Sequence, residues 1–250
     1  MPLSCQTKEI ILGSILGDGS LKIHKPYKNA RFSFRHSITQ KEYFHWKVSQ
    51  LKEISSDNCV WEQGRGGNDG LGGPKLRYQS LALESLTELY HLTHQASQKG
   101  EARIRRKWLN MMTPLSLAIW WLDDGSLIGH CARKGVFCTD SFLKEDLVVL
   151  KRYLEKVWGI KVKIARASIH SAKEQYRLWI RSTETLKKFL RIILPHIYVE
   201  QMLPKVILLY KDSELQQRWI SEIAQLTEFP ESTIEKYVLA KKDKWKDFRE

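Results

Sequence analysis

Two carboxylates with identical neighbours are the residues of this sequence whose type and spacing point to chemistry. Asp18 and Asp124 each begin the tetrapeptide Asp-Gly-Ser-Leu, and each follows an apolar run of helical length, at 11–16 and 117–122. The apolar residues do not alternate as they would in a half-exposed strand, so each acid is expected at the carboxyl end of a buried helix. The negative end of a helix dipole opposes a carboxylate there. A bound cation at each acid would remove that conflict.

One such motif alone would be read as a buried helix with a glycine after its last turn. Two copies in matching contexts favour a duplicated architecture instead. Thr113 and Pro114 mark the start of the second helix, as a hydroxyl cap followed by proline. Gly13 and Gly17 lie four residues apart on one face of the first helix. This spacing predicts a close approach by a second helix, for which the second motif helix is the obvious partner.

The residues after the two acids repeat one order of elements: hairpin, helix, hairpin, helix. Lys-Glu occurs near the start of the first helix after each acid, at Lys41 and Lys144. Helices are predicted at about 7–18, 40–54, 84–92, 143–157 and 183–194, and strands within 20–36, 59–63, 75–83, 126–139, 160–168 and 175–181. We therefore predict two pseudo-symmetric halves, 1–94 and 113–210, joined by a basic linker at 95–112 and followed by a helical tail at 211–250.

The charge of the chain indicates a polyanionic partner. Lys and Arg number 41 against 28 Asp and Glu, giving a net charge of +13 and an isoelectric point near 9.5. Nucleic acid ranks ahead of an acidic membrane surface, and a basic but otherwise ordinary soluble protein stays open on charge alone. No apolar run approaches the ~20 residues of a membrane span. The 4 cysteines show no paired spacing, which indicates free thiols in an intracellular, reducing compartment: an organelle (mitochondrion or chloroplast) or a bacterial cytoplasm.

Polar residues alternate with apolar ones along the predicted strands. In 31–36, Phe32 and Phe34 are expected to face a core while the residues between them face outward. Outward arginines suit contacts with phosphates and base edges, and a merely solvated polar face is the alternative. The candidate nucleic-acid-binding residues are Arg31, Ser33, Arg35, Lys75, Arg77, Gln79, Lys161, Lys163, Gln175 and Arg177.

The two motifs together resemble those of the LAGLIDADG homing endonucleases, in the branch that carries both motifs in one chain. The first motif, 11–19, keeps both small positions and the terminal Asp-Gly, and the second, 117–125, keeps Leu-Ala at its start and Asp-Asp-Gly at its end. Trp-Trp-Leu-Asp-Asp-Gly-Ser, preceded by Thr-Pro-Leu-Ser-Leu-Ala, is similar to the second motif of the omega-type intron endonucleases. The segments 139–142 and 195–205 share that similarity. The resemblance covers about residues 8–210.

The resemblance implies an α+β fold with one αββαββα unit in each half. The motif helices would pack along a pseudo-two-fold axis, and two antiparallel sheets would form a basic saddle on double-stranded DNA. Asp18 and Asp124 would lie together between the scissile phosphates and bind two or more Mg²⁺ ions, for which Mn²⁺ would substitute. The chain would act as a monomer with no membrane partner and would cut both DNA strands by hydrolysis of a phosphodiester.

Further roles follow from the same resemblance. The backbone carbonyls of Gly17 and Asp123 would also reach metal, whereas the Asp123 side chain is predicted to be structural or to support a metal ligand, ahead of binding metal directly. Lys205 matches a basic residue that the family places near one active centre. Its counterpart in the first half stays open between Lys99 and Arg103.

Two further hypotheses compete with a site-specific endonuclease. The first is a binding protein on the same fold, either an intron RNA maturase or a non-cleaving DNA-binding regulator. Retention of both acids argues against a regulator that does not cleave, but leaves a maturase activity open. The second is a structural protein, which leaves the charge and the paired Asp-Gly ends unexplained. The tail at 211–250 is read as packing or solvated helices ahead of a second DNA reader.

Overall fold

The computed structural model of the chain describes residues 2–64, 73–94, 102–129, 131–168 and 174–244. The helices are α1 (Cys5–Leu16), α2 (Lys41–Gln50), α3 (Glu84–His94), α4 (Arg106–Leu109), α5 (Pro114–Asp124), α6 (Lys144–Tyr153), α7 (Thr183–Ile193), α8 (Ser213–Leu226) and α9 (Glu231–Lys242). The strands are β1 (Ser20–Lys22), β2 (Arg31–Ser37), β3 (Val60–Gln63), β4 (Lys75–Gln79), β5 (Gly125–Ile128), β6 (Lys134–Phe137), β7 (Lys163–Arg166) and β8 (Tyr176–Ile180). A π-helical turn extends α6 to Trp158, and a 3₁₀ segment spans Glu200–Lys205.

The strands form two antiparallel sheets of four strands each, in the orders β1-β2-β4-β3 and β5-β6-β8-β7. The same order in both sheets confirms the duplicated α+β architecture. Within the described residues, no helix is both long and apolar enough to cross a bilayer.

The chain divides into two compact units, 1–123 and 124–250. By this division α5 packs with the first unit, and Asp124 is the first residue of the second. The four-part division predicted above follows the sequence duplication, which assigns α5 to the second half, and it stays a prediction.

In the first unit, the two motif helices are in direct contact. A Cβ added to Gly13 would lie 2.4 Å from the carbonyl oxygen of Ser116 and 3.0 Å from the Cβ of Ile119. The Ser116 hydroxyl donates to the carbonyl oxygen of Glu9 at 2.9 Å. The close approach predicted from the glycine spacing is therefore confirmed, because only a residue without a side chain fits at this crossing.

The first helix ends earlier than the sequence suggests. α1 stops at Leu16, and the amides of Gly17 and Gly19 both donate to the carbonyl oxygen of Ser14, at 2.9 and 2.7 Å. This turn releases Asp18 from the helix two residues after its end. The prediction that the helix continues to residue 18 is wrong because the glycines close the last turn early. α5, in contrast, includes Asp124 as its last residue, as predicted.

In the second unit, the tail helices α8 and α9 pack on the chain that follows the 3₁₀ segment. Residues 206–210 are all buried, although they belong to no helix or strand. Their backbone groups are satisfied largely by side chains from the tail, as described below. The tail therefore contributes to the core of this unit, in agreement with the expectation of packing helices.

Candidate active centres

Asp18 stands at the mouth of a cleft on the outer face of the first sheet. Its side chain is 38% exposed, and its Oδ2 lies 3.3 Å from Nδ1 of His36. His36 is on the inner face of β2 and is itself buried. The acid therefore presents an accessible carboxylate with a buried imidazole close beneath it.

Asp123 occupies the opposite environment, although it lies next to Asp124 in the sequence. Its carboxylate is buried and accepts hydrogen bonds from Lys47 Nζ at 2.8 and 3.0 Å and from the Tyr43 hydroxyl at 2.8 Å. Nε2 of His36 is 3.7 Å from its Oδ1. Burial, together with the charge and the hydrogen bond of Asp123, raises the pKa of Tyr43 well above its usual value. A buried lysine and a buried aspartate are tolerated because each neutralises the other.

This buried network reaches the backbone that carries Asp18. The amide of Asp18 donates to Asp123 Oδ2 at 3.4 Å, and a Cβ added to Gly17 would lie 2.5 Å from the Cβ of Asp123. We call the side chains of His36, Tyr43, Lys47 and Asp123 the buried quartet. It fixes the turn from which Asp18 projects.

The arrangement fits a divalent cation at Asp18. Ligand atoms of Asp18, His36 and Asp123 all lie within 4.8 Å of one another. The Asp123 carboxylate is buried against an ammonium group, whereas the Asp18 carboxylate is exposed and can face a cation in the cleft. Carboxylate oxygen suits a hard cation such as Mg²⁺. The observed contacts of the Asp123 side chain agree with a structural role.

The cleft beside Asp18 has basic and polar walls on the outer face of the sheet. It measures about 420 Å³, and its lining includes Ser33, Arg35, Trp61, Arg77 and Gln79. The register places Arg35 opposite Arg77, and Arg77 opposite Trp61. The predicted alternation is confirmed here, because Phe32, Phe34, Leu76 and Tyr78 face inward and are buried.

Asp124 in the second unit has different surroundings. The amide of Cys138 donates to its backbone carbonyl at 3.0 Å. Burial raises the pKa of the Cys138 thiol; Arg177 and Lys205 lower it, whereas Asp124 and Asp140 raise it further. Four charged groups therefore act on the pKa of one thiol. Arg177 forms a two-pronged pair with Asp140, at 2.8 Å from Nε and 2.6 Å from Nη2.

The other predicted residues are distributed as follows. Arg31 and Lys75 lie on the outer face of the first sheet with Ser33, Arg35, Arg77 and Gln79; Lys163 and Arg177 lie in β7 and β8, Lys161 precedes β7 and Gln175 precedes β8. Arg31 Nη1 donates to Gln79 at 3.2 Å, and its guanidinium stacks on the Tyr27 ring at 4.4 Å. The backbone amide of Arg103 donates to the carbonyl of Thr93 at 2.8 Å. Lys99 lies outside the described residues.

The sequence analysis did not identify three members of the buried quartet. These are His36, Lys47 and Tyr43, whose hydroxyl donates to Asp123. The alternation of β2 does assign His36 to the inner face with Phe32 and Phe34, and this was the available signal. Helical spacing puts Lys47 on the inner face, three residues after Phe44 and four before Leu51, but a lysine at a core position does not identify the acid that neutralises it.

The chain matches known families along most of its length. The model described as the LAGLIDADG DNA endonuclease family matches residues 8–189. Among curated proteins, protein RecA of Mycobacterium gastri is 30% identical over 210 residues, and cytochrome b mRNA maturase bI2 of Saccharomyces cerevisiae is 29% identical over 202 residues. Each of these alignments covers 78% of this chain but only 46% of the relative, so the chain spans about half their length.

Two further similarities span nearly whole relatives. DNA endonuclease I-ChuI of Chlamydomonas applanata is 23% identical over 202 residues, covering 76% of this chain and 93% of that protein. Among solved structures, the homing endonuclease I-WcaI bound to its DNA recognition sequence aligns with a TM-score of 0.69 and 22% identity, over 82% of this chain and 88% of that one. At this level of identity, the structural similarity establishes the fold.

Proposed function

The chain belongs to the LAGLIDADG DNA endonuclease family, and from this premise we propose that it is a site-specific homing endonuclease of the intron-encoded type. It would bind a long double-stranded DNA target as a monomer and hydrolyse one phosphodiester in each strand. Asp18 and Asp124 would each serve one active centre. A duplicated acid suits a substrate with two strands, because each cut needs its own catalytic carboxylate.

The observation that carries this proposal is the contrast between Asp18 and Asp123. Asp18 is exposed beside a basic cleft, whereas Asp123 is buried and neutralised by Lys47. A protein that only binds DNA gains nothing from an exposed carboxylate beside a phosphate-binding surface, because the acid repels the phosphate. A hydrolase that uses cations requires one.

In the first centre, the buried quartet would act through geometry. Asp123 holds the Asp18 amide, and His36 contacts the Asp18 carboxylate from the sheet side, so the acid has little freedom to turn away from the cleft. Lys47 lies behind Asp123 and is fully buried, so its role would be to fix the Asp123 side chain. Preorganised charge of this kind needs no rearrangement during the reaction.

Asp18 and Asp124 would hold the divalent cations, and the carbonyls of Gly17 and Asp123 are further candidate ligands. Bound Mg²⁺ would neutralise charge on the scissile phosphate and favour the ionisation of water at neutral pH. We propose two or more ions and substitution by Mn²⁺.

In the second centre, Lys205 would place positive charge near Asp124. In support of this, Lys205 lowers the pKa of the Cys138 thiol and Asp124 raises it, so both groups act on the same side chain. An ammonium group there can stabilise the pentavalent phosphate or polarise the attacking water. In the first centre the candidates Lys99 and Arg103 stay open as basic partners.

Recognition of the target would depend on the outer faces of the sheets. Arginine and glutamine pair with guanine and adenine edges in the major groove, whereas lysine more often contacts phosphate. Arg31, Arg35, Arg77, Gln79, Gln175 and Arg177 are therefore the proposed readers of base edges. Ser33 would contact either group, and Lys75, Lys161 and Lys163 would contact the backbone.

Selection of cleaved duplexes from a randomised pool in Mg²⁺ tests the proposal directly. Wild-type protein should yield one family of cut targets. Asp18→Asn and Asp124→Asn should each slow cleavage by at least about a hundredfold while DNA is still bound. Asp57→Asn, the same change at an exposed acid in the loop before β3, should cut normally. If the wild-type protein bound DNA but cut no target in the pool, the proposal that the chain is a nuclease would be refuted.

A maturase activity is the second candidate, favoured by the 29% identity to the yeast cytochrome b maturase. The basic sheet faces suit RNA phosphates as well as DNA phosphates. Binding and splicing of a structured intron RNA that Asp18→Asn plus Asp124→Asn leave unchanged would support it. RNA binding lost at modest salt, with no preference over a scrambled RNA, would argue against it.

A further inference from the structure

The tail helices α8 and α9 hold the backbone on both sides of Lys205. Nζ of Lys241 in α9 donates to the carbonyl oxygens of Pro204 and Ile207, at 2.7 Å each. Nε1 of Trp219 in α8 donates to the carbonyl oxygen of Val206 at 3.2 Å. The peptide group immediately before Lys205 and the carbonyls of the two residues after it are thus bonded to tail side chains.

The same pattern continues along the buried segment. The Gln216 side chain donates to the carbonyl of Leu208 at 3.2 Å and accepts from the amide of Tyr210 at 2.9 Å. The amide of Leu209 donates to the carbonyl of Cys131 at 3.1 Å, on the loop between β5 and β6. A segment without a strand partner is therefore fixed by side chains, because its buried polar groups require hydrogen bonds.

We propose that Lys241 is a positioning residue that fixes Lys205 in the second active centre through the carbonyls of Pro204 and Ile207. This inference depends on the proposed function. By this proposal the second active centre requires α9 of the tail. Lys241 lies outside the sheet faces and outside both motifs.

Lysine suits this position chemically. Two carbonyl oxygens, at positions 204 and 207, face one nitrogen, and an amine offers at least two N–H groups whether or not it is protonated. Burial lowers the pKa of Lys241 to about 7, so the neutral amine is accessible near physiological pH and still makes both hydrogen bonds. Methionine at this position would keep the length of the side chain and remove both donors.

The first test compares strand-resolved cleavage of an end-labelled target by Lys241→Met and Lys205→Ala. We expect Lys241→Met to slow cutting by about tenfold, with the same ratio between the strands as Lys205→Ala and unchanged DNA affinity, since small misplacements of catalytic groups are costly. Lys236→Met, the same change at an exposed position of α9, should behave as wild type. Lys241→Arg, which restores two donors, should recover part of the rate.

A double-mutant cycle separates positioning from general loss of structure. In the Lys205→Ala background, Lys241→Met should slow cleavage by less than about twofold, because Lys241 acts through the group already removed. A full additive loss in that background, or a strand ratio that differs from that of Lys205→Ala, would overturn the proposal.

A readout independent of cleavage completes the test. The amides of Val206 and Ile207 both donate to the carbonyl of Leu203, and Lys241→Met should speed their hydrogen exchange while Lys236→Met does not. If the wild-type protein cut no duplex, the proposed nuclease function would be refuted. The hydrogen-exchange result would still decide whether Lys241 holds this backbone. Unchanged exchange at both amides would refute the role of Lys241.

Discussion

The two motif acids, Asp18 and Asp124, share a tetrapeptide but not an environment. The register in each sheet pairs Ser20 with Ser33 and Ser126 with Val136, so His36 in the first unit corresponds to Thr139 in the second. His36 contacts Asp18, whereas the Thr139 hydroxyl donates to the carbonyl of Tyr176 at 2.8 Å. The duplication preserved the acid and its fold but replaced the group beneath it.

The helices behind the sheets differ in the same way. Counting from Lys41 and Lys144, where α2 and α6 begin, Lys47 corresponds to Leu150. Lys47 is buried against Asp123, and Leu150 is buried in an apolar core. The first unit therefore has a charged network where the second has hydrophobic packing, so equivalent substitutions should have unequal effects.

The largest difference is expected for Lys47 and Leu150. Lys47→Met should lower the free energy of unfolding by about 3–5 kcal/mol, because it leaves the Asp123 carboxylate buried without a counter-charge. Leu150→Met should cost less than about 1.5 kcal/mol, as a change that conserves volume. Chemical denaturation measures both. Equal costs would show that the network is not a distinguishing feature, and adding Asp123→Asn to Lys47→Met should recover part of the loss.

A second difference concerns Arg77 and Arg177, which occupy equivalent positions in β4 and β8. Nε of Arg77 is buried without a hydrogen-bond partner in the described part of the chain, whereas Arg177 is held by Asp140. Arg77→Met should weaken binding of the selected DNA target by about 1–3 kcal/mol, and Arg177→Met by less, because Arg177 would have to leave Asp140. Titrations over a range of salt concentrations measure this; the reverse order would contradict it.

The third prediction makes the first centre resemble the second. His36→Thr should slow cleavage by about tenfold while DNA affinity stays within about twofold, because Asp18 loses the group that orients it. His45→Gln, at an exposed position of α2, is the matched control. A proportional loss of affinity would assign His36 to DNA binding instead.

The smallest expected effect is a dependence of folding stability on pH, which comes from Lys241, one of the two buried lysines. Lys47 has a carboxylate partner, whereas burial lowers the pKa of Lys241 to about 7. Above that pH the folded chain loses this proton while the unfolded chain keeps it up to about pH 10, so folding stability rises with pH. Relative to that of Lys241→Met, the free energy of unfolding of the wild-type protein should rise by about 1 kcal/mol between pH 7 and pH 8. If the difference in free energy of unfolding between the two proteins did not change with pH across this range, the lowered pKa of Lys241 would be contradicted.

The repeated motif, the succession of hairpins and helices along the chain and the inward-facing aromatics of β2 could all be predicted from the sequence, because they depend on local periodicity and on a duplicated pattern. The end of α1 could not, since it depends on two amides that share the carbonyl of Ser14. Lys47 was out of reach for a related reason. Its burial is favourable only because Asp123, 76 positions away, supplies the opposite charge. Local pattern carries no trace of such a partner.

The origin of that counter-charge has a consequence for engineering by segment exchange. Lys47 belongs to α2, but its neutralising partner arrives with α5 after the basic stretch at 95–112. A fragment or chimera that takes residues 1–112 alone would bury the Lys47 ammonium group without the Asp123 carboxylate that neutralises it. Recombination of such nucleases should therefore transplant α5 together with the amino-terminal segment, or replace the lysine by an apolar residue beforehand.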